Sequence, residues 1–256
     1  KYERVDLREH ILKRPESYIG AISPSTETMW IIQDGKMKQK EITYVPGLYK
    51  IFDEILVNAA DNCQRDPPTK NIKVEIKPDE GYISVWNDGK GIPIKQEFDK
   101  KDNVNYWIPE FIFGHLLTSS NYDDNQKRVT GGRNGFGAKL ANIYSTKFVV
   151  ECVSTDANGQ FMKYRQEFTD HMKDIGEPEI TKVKGKGKSS TMIKFYPDCK
   201  LFGMDKLDDD IVALLSRRVW DMAGVLKGCT ITLNGEKTPI HSWDEYCKLF
   251  LGDGIN

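Results

Sequence analysis

One short segment combines an acid and two amides at a spacing that suits a base facing a hard cation. Glu54, Asn58 and Asn62 follow one another at intervals of four residues, in a run without glycine or proline. Residues four apart lie on one face of a helix. Asparagine is unfavourable inside helices because its amide competes for backbone hydrogen bonds. The pattern therefore indicates a general base beside an amide ligand for a hard cation; the alternative is an ordinary amphipathic helix with a wet face.

A second segment, residues 84–93, is a β-type run that stops abruptly at Asp88-Gly89. The two glycines Gly89 and Gly91 allow the backbone to approach a ligand closely. An aspartate at this point can accept a hydrogen bond from the exocyclic amine of adenine. We therefore expect Asp88 to recognise a base. A hairpin turn is the alternative interpretation, since Asp-Gly is a strong turn signal.

Two further segments carry groups that bind phosphate or sugar. Residues 131–137 contain four glycines ahead of a helix-like run. Such glycines expose backbone N–H groups to a phosphate, and Arg133 and Lys139 add positive charge. Hydroxyls and an amide cluster in residues 116–122, after another helix-like run. The glycine-rich segment alone is a weak signal, and the hydroxyl cluster alone is more often a polar loop.

In this order, the four segments resemble the GHKL ATPase superfamily. Residues 45–54, 117–122 and 131–140 are similar to the N-terminal ATPase domain of eukaryotic type II DNA topoisomerases, and the likeness extends over residues 2–250. It implies ATP and Mg²⁺ as cofactors and an α+β fold, the Bergerat-type sandwich with a mixed, mostly antiparallel sheet and helices on one face. Chaperone and mismatch-repair ATPases share the site, but residues 131–140 argue against them. Glu54 argues against a module that holds ATP without hydrolysing it.

The resemblance implies a role for each matching residue. Glu54 is the base that activates water, Asn58 the ligand of Mg²⁺, and Asn62 a contact to ribose or phosphate. Asp88 occupies the adenine-reading position, and Thr191 is a polar group near the base. The implied apolar walls around the base are Ile55, Ile92, Ile112, Phe113 and Ile193. The implied ribose and phosphate contacts are Ser119, Ser120 and Asn121. The implied lid over the phosphates is Arg133, Asn134, Gly135, Phe136, Gly137, Ala138 and Lys139. Tyr2 is implied to be a strap residue that reaches the partner subunit's nucleotide.

The resemblance also implies a division of the chain and a place in a larger machine. Residues 1–20 form a strap and short helix, residues 21–250 the GHKL ATPase domain, and residues 251–256 the start of a linker to a transducer domain. A lysine of that transducer would reach the γ-phosphate, and a DNA-cleaving tyrosine would lie further on. ATP binding would close a homodimer into a gate that captures a segment of double-stranded DNA, in the nucleus.

Composition limits other functions. Lysine and arginine number 37 and aspartate and glutamate 38, a net charge of −1, so the chain as a whole is not a basic nucleic-acid binder. The basic run 182–188 reads as a solvated turn. Five cysteines without a C-x-x-C pair indicate reduced thiols in an intracellular compartment and no zinc site. The four histidines lack ligand spacing, and no segment predicts a membrane span.

Apolar periodicity predicts helices and strands in hairpin-like groups. Helices are predicted near 6–13, 47–64, 109–117, 137–145, 207–226 and 242–250. Strands are predicted near 28–33, 41–45, 71–77, 82–87, 147–155, 160–168, 178–184, 190–196 and 229–234. The charged segment 95–105 is predicted to be a surface loop.

Overall fold

The computed structural model describes residues 6–65, 67–100, 102–116, 136–185 and 187–251. Its helices are α1 (Leu7–Lys13), α2 (Pro46–Asp61), α3 (Ile108–Gly114), α4 (Gly137–Ile143), α5 (Asp209–Val225) and α6 (Trp243–Lys248). Its strands are β1 (Ser25–Gln33), β2 (Lys36–Tyr44), β3 (Asn71–Lys77), β4 (Tyr82–Asp88), β5 (Gln96–Asp99), β6 (Val104–Trp107), β7 (Ser145–Thr155), β8 (Phe161–Thr169), β9 (Asp174–Ile175), β10 (Glu179–Lys182), β11 (Ser190–Pro197), β12 (Thr230–Leu233) and β13 (Glu236–Lys237). Short 3-10 turns at Pro15–Ser17 and Asn62–Gln64 follow α1 and α2.

Nine strands form one mixed sheet in the order β10-β8-β7-β11-β4-β3-β12-β13, with β9 paired to β8. All its described pairings are antiparallel except that of β12 with β3. The hairpins β1–β2 and β5–β6 are separate two-stranded sheets. The predicted α+β class with a mostly antiparallel sheet is therefore confirmed.

Helix α2 is the element that carries the predicted acid and amides. Pro46 occupies its first turn, where the missing N–H costs nothing. Most of its apolar residues are buried and recur every three or four positions: Leu48, Ile51, Phe52, Ile55, Leu56, Ala59 and Ala60. This stripe packs into the core and leaves the opposite face free for polar side chains.

The sheet buries one face against the helices. Along β3, Ile72, Val74 and Ile76 are buried in the core, while the residues between them point the other way. The outward face carries lysines over aromatic rings: the Lys73 ammonium lies 4.6 Å from the Trp86 ring centroid and that of Lys194 4.1 Å from the Tyr82 ring. Helix α5 closes the core from the helical side and is capped by Asp208, whose side chain accepts a hydrogen bond from the Ile211 N–H at 2.9 Å.

Two segments differ from the predictions. The segment predicted as a surface loop, 95–105, instead contributes β5 and the start of β6, a short hairpin with Asn103 at positive φ. The predicted strands near 28–33 and 41–45 extend toward each other as β1 and β2. They join at Asp34-Gly35, both of which have positive φ, the backbone that a tight two-residue hairpin turn requires. Charged residues interrupt the apolar alternation in both hairpins. The sequence therefore predicted β1 and β2 only in part and did not predict β5 and β6.

Candidate nucleotide-binding site

The Glu54 carboxylate lies where α2 meets the start of α4. Its Oε1 is 2.6 Å from the Lys50 ammonium, one helical turn earlier. On its other side it lies against Gly137, so closely that a methyl group on that residue would overlap the carboxylate. The neighbouring Asp53 is held by Arg218 of α5, whose Nε lies 2.7 Å from Oδ1. Helix α2 is therefore anchored in rotation, and Glu54 has a fixed place beside the glycine.

Asn58 lies one turn beyond Glu54 and is exposed. The described residues contain no cluster of three or more histidine, cysteine, aspartate or glutamate side chains that could hold a metal by themselves. Mg²⁺ usually takes one or two protein oxygens and completes its shell with water and substrate phosphates. An exposed amide oxygen one turn from a carboxylate fits that pattern of ligands.

Asn62 occupies a different environment from Asn58. It is buried, and its amide nitrogen donates to Thr69 Oγ1 at 3.1 Å and to the carbonyl of Lys90 at 3.1 Å. A third acceptor, the carbonyl of Asp88, is 3.4 Å away. These bonds join the end of α2 to the turn that follows β4. Asn62 thus orients the turn, and its amide nitrogen is already used within the protein, which argues against the predicted direct contact to ribose or phosphate through that atom.

The Asp88 carboxylate, predicted to accept a hydrogen bond from adenine, is instead bonded within the protein. It accepts hydrogen bonds from the backbone N–H of Lys70 at 2.7 Å and of Asn71 at 2.8 Å, and from Asn71 Nδ2 at 2.6 Å. Burial acts to raise the pKa of Asp88, but these hydrogen bonds outweigh it and hold the pKa below its usual value. The prediction that Asp88 reads a base is therefore wrong in its geometry: the carboxylate secures the start of β3.

The residue that faces the helical side at this point is Asn87. It is 6% exposed. On β4 it is paired with Thr191 of β11 on one side and with Ile72 of β3 on the other. Its amide nitrogen donates to the carbonyl of Asp88 at 2.8 Å. The other atom of the amide, Oδ1, can accept a hydrogen bond. Sequence reasoning missed Asn87, although the alternation of Ile83, Val85 and Asn87 along β4 places all three on one face.

The predicted apolar walls divide between the site and the core. Ile193 is buried one alternation along β11 from Thr191, and Ile92 is half-buried just after the turn. Phe113 instead packs in the core, with its ring centroid 6.1 Å from that of Phe148, whereas Ile112 is 38% exposed. Adjacent helix residues point in different directions, so both cannot line one wall.

Of the predicted lid, only the last four residues are described. Phe136 precedes α4, Gly137 contacts Glu54, and Ala138 is half-buried. Lys139 is 1% exposed, and burial lowers its pKa to about 8. The other predicted contacts lie outside the described residues: Tyr2, Ser119, Ser120, Asn121, Arg133, Asn134 and Gly135.

Two further expectations concern chemistry elsewhere in the chain. All five cysteines are free thiols, as the sequence predicts. No helix within the described ranges combines the length and the apolar character needed to cross a bilayer.

Comparison with known proteins places this geometry in a family. The family described as "Histidine kinase-, DNA gyrase B-, and HSP90-like ATPase" matches residues 44–195. A "Probable DNA topoisomerase 2" of Dictyostelium discoideum is 49% identical over 255 residues, which is 100% of this chain and 16% of that protein. The chain thus spans about a sixth of the length of this curated relative.

Solved structures give the same result. The ATPase region of Saccharomyces cerevisiae topoisomerase II superposes with a TM-score of 0.89 at 49% identity, covering 97% of this chain and 64% of that one. The 43K ATPase domain of Thermus thermophilus gyrase B, at 21% identity and a TM-score of 0.62, covers 92% of this chain and 51% of that one and shares the fold. Glu54 and Asn58 on α2, the bend after β4 and helix α4 all lie within the matched residues 44–195. The chain belongs to the histidine kinase-, DNA gyrase B- and HSP90-like ATPase family.

Proposed function

We propose that this chain is the ATP-binding and ATP-hydrolysing gate domain of a type II DNA topoisomerase. The observation that carries the proposal is the position of Glu54, fixed between α2 and Gly137, in a chain similar along its whole length to topoisomerase 2 proteins. A base held in this way can orient and deprotonate a water for attack on the γ-phosphate. An ATP-binding function follows from the family itself.

The base of the nucleotide would lie against the ends of strands β4 and β11. Asn87 Oδ1 would accept a hydrogen bond from the exocyclic amine of adenine, and Thr191 is the residue paired with Asn87 on β11. Ile193 would supply apolar contact beneath the ring. Asn62 acts at one remove, because it holds the turn after β4 in place.

The phosphates would lie near Asn58 and Lys139. When bound, Mg²⁺ would neutralise phosphate charge as the bond to the γ-phosphate breaks. Asn58 would supply one ligand oxygen to it. Lys139 would pair with phosphate oxygens, and the predicted contacts among residues 119–121 and 133–135 belong to the same proposal.

The activity of the whole protein extends the proposal. ATP binding would favour closure of a homodimer, with Tyr2 reaching the partner subunit's nucleotide, and closure would capture a segment of double-stranded DNA. The strap at 1–20, the ATPase domain at 21–250 and the linker at 251–256 are the proposed divisions. The nucleus is the proposed location.

The test compares Glu54→Ala with the wild type in the full-length protein. We expect ATP binding to persist and ATP turnover to fall by about 10²–10⁴-fold, the usual cost of removing a positioned base. ATP-dependent relaxation of supercoiled DNA should fall with it. A chaperone or mismatch-repair ATPase would turn over ATP without relaxing DNA, and a non-hydrolysing module would show no turnover in the wild type. Near-normal turnover in Glu54→Ala would refute the role of Glu54.

A further inference from the structure

Two cysteines far apart in the sequence are brought together behind the nucleotide site. Cys63 lies in the 3-10 turn that ends α2, and Cys229 immediately precedes β12. Each thiol shifts the pKa of the other, so the two side chains are close neighbours. Both are partly exposed, whereas Cys152 is buried. The pair is therefore within reach of small solutes.

The backbone around the pair explains why the thiols meet. Asn62, the neighbour of Cys63, accepts a hydrogen bond at its carbonyl from the Thr69 N–H at 3.4 Å. Thr230, the neighbour of Cys229, donates its N–H to the Lys70 carbonyl at 2.8 Å. Both cysteines thus flank the same two residues, at the start of β3. Their proximity is set by the sheet and does not depend on side-chain rotamers alone.

The surroundings make the two sulfurs chemically unequal. The hydrogen bond from Cys229 lowers the pKa of Cys63, against an opposing effect of burial, with Lys70 assisting and Asp88 and Asp61 opposing. The same hydrogen bond and burial raise the pKa of Cys229. Cys63 is therefore the sulfur that ionises first and attacks, because the thiolate is the nucleophile.

We propose that Cys63 and Cys229 are a dithiol modification site at which a hydroperoxide forms a reversible disulfide. The Cys63 thiolate attacks one peroxide oxygen, the O–O bond breaks, and the leaving oxygen takes a proton, which gives a Cys63 sulfenic acid and water or an alcohol. The Cys229 sulfur then attacks the Cys63 sulfur and loses its proton, and water leaves as the S–S bond forms. Two electrons pass from the thiols to the peroxide, and a dithiol reductant reverses the change.

The disulfide acts on the nucleotide site, a consequence that rests on the function proposed above. A bond between the sulfurs draws the end of α2 toward β12. Asn62, next to Cys63, holds the turn after β4 through the Lys90 carbonyl. Loss of one such hydrogen bond corresponds to about a tenfold change in affinity. We therefore expect oxidation to weaken nucleotide binding by about that factor.

The test treats the chain with hydrogen peroxide and maps its peptides without reduction. The expected result is a cross-linked peptide pair joining Cys63 to Cys229, loss of two of the five thiols titrated after unfolding, and recovery with dithiothreitol. Cys229→Ser should instead accumulate a sulfenic acid on Cys63, trapped by dimedone. Cys199→Ser is the matched control and should cross-link like the wild type. Retention of all five thiols, or cross-linking at other cysteines, overturns the proposal.

A second readout separates this proposal from the proposed function. Binding of a non-hydrolysable ATP analogue is titrated before and after oxidation, with Cys63→Ser as the variant that cannot form the bond. Thermal melting establishes that each variant is folded. Weaker binding only in oxidised wild type supports the link to the nucleotide site, and equal binding overturns that link. If reduced protein fails to bind the analogue, the proposed function fails, while the peptide map still decides the dithiol.

Discussion

The carboxylate of Glu54 lies against the Cα of Gly137, with no room between them for a methyl group. The contact is between a helix side chain and the first residue of another helix, so it couples the proposed base to the glycine-rich segment that precedes α4. Because the obstructing atoms are the end of a long side chain, the carboxylate can move aside more readily than the backbone can.

Gly137→Ala should therefore lower catalytic turnover while leaving the fold intact. The added methyl displaces the Glu54 carboxylate from its position, and a small misplacement of a catalytic group can cost about 10²-fold in rate. Steady-state ATP hydrolysis by the full-length protein measures kcat, and thermal melting measures stability. Unchanged kcat would show that the position of Glu54 against Gly137 does not matter to the reaction. Thermal melting of Gly137→Ala also reports the change in helix propensity that the substitution brings.

Asn87 and Asp88 are adjacent and should respond to substitution in different ways. Asn87→Ala removes the acceptor proposed for adenine, so discrimination between ATP and GTP should fall by about tenfold or more. Asp88→Ala removes the acceptor of three hydrogen bonds at the start of β3. It should lower the free energy of unfolding by about 1–3 kcal/mol. Competition binding and urea unfolding measure the two effects.

The opposite assignment is tested by the same pair of variants. If Asp88→Ala in folded protein loses base selectivity while Asn87→Ala keeps it, the original interpretation of Asp88 would be restored.

The stabilising effect of Asp88 should also disappear in acid. Its pKa is lower in the folded state, so its contribution is present above the unfolded value of 3.8 and is lost as the pH falls through the folded value.

Asn58→Ala should weaken Mg²⁺-dependent nucleotide binding. Removal of one ligand oxygen should raise the Mg²⁺ concentration for half-maximal binding by about tenfold or more. Titration of Mg²⁺ at fixed ATP analogue, followed by fluorescence, gives this midpoint. Gln64→Ala is a suitable control, because Gln64 is also an exposed amide, two residues beyond Asn62. Identical midpoints for Asn58→Ala and the wild type would exclude Asn58 as a ligand.

Nucleotide binding should take up protons in mildly alkaline solution. Burial lowers the pKa of Lys139 to about 8, from an ordinary value of 10.5. A bound triphosphate favours the charged ammonium and raises that pKa, so affinity should fall as the pH rises through 8 and beyond. Between pH 8 and pH 10.5, calorimetry in buffers of different ionisation enthalpy should detect the uptake of about one proton on nucleotide binding. Lys139→Met should abolish it; undiminished uptake would assign the proton to another group.

The same lysine has a second, independent effect on the free protein. Because the folded pKa lies below the unfolded one, the unfolded chain binds more protons between about 8 and 10.5. Stability should therefore rise with pH across that window. In Lys139→Met this rise should be smaller, as measured by urea unfolding at several pH values.

The sequence predicted the polar face of α2 well because helical periodicity fixes which residues share a face. It placed Glu54 and Asn58 correctly on that face. The error at Asp88 arose one residue along β4, where a strand's two faces alternate and a shift of one position exchanges them. The environment of Lys139 could not be predicted, because its burial depends on how α4 packs against the core. The proximity of Cys63 and Cys229 could not be predicted either, because it depends on the pairing of β12 with β3.

That parallel pairing has a consequence for how the protein is made. Thr230 and Ile231 align with Asn71 and Ile72, the strand start to which the Asp88 carboxylate is bound. During synthesis, every residue of the matched span 44–195 leaves the ribosome before β12 does. The edge of the sheet next to the strands proposed to hold the purine then remains unpaired, so the nascent chain should bind nucleotide firmly only after residues near 233 have emerged.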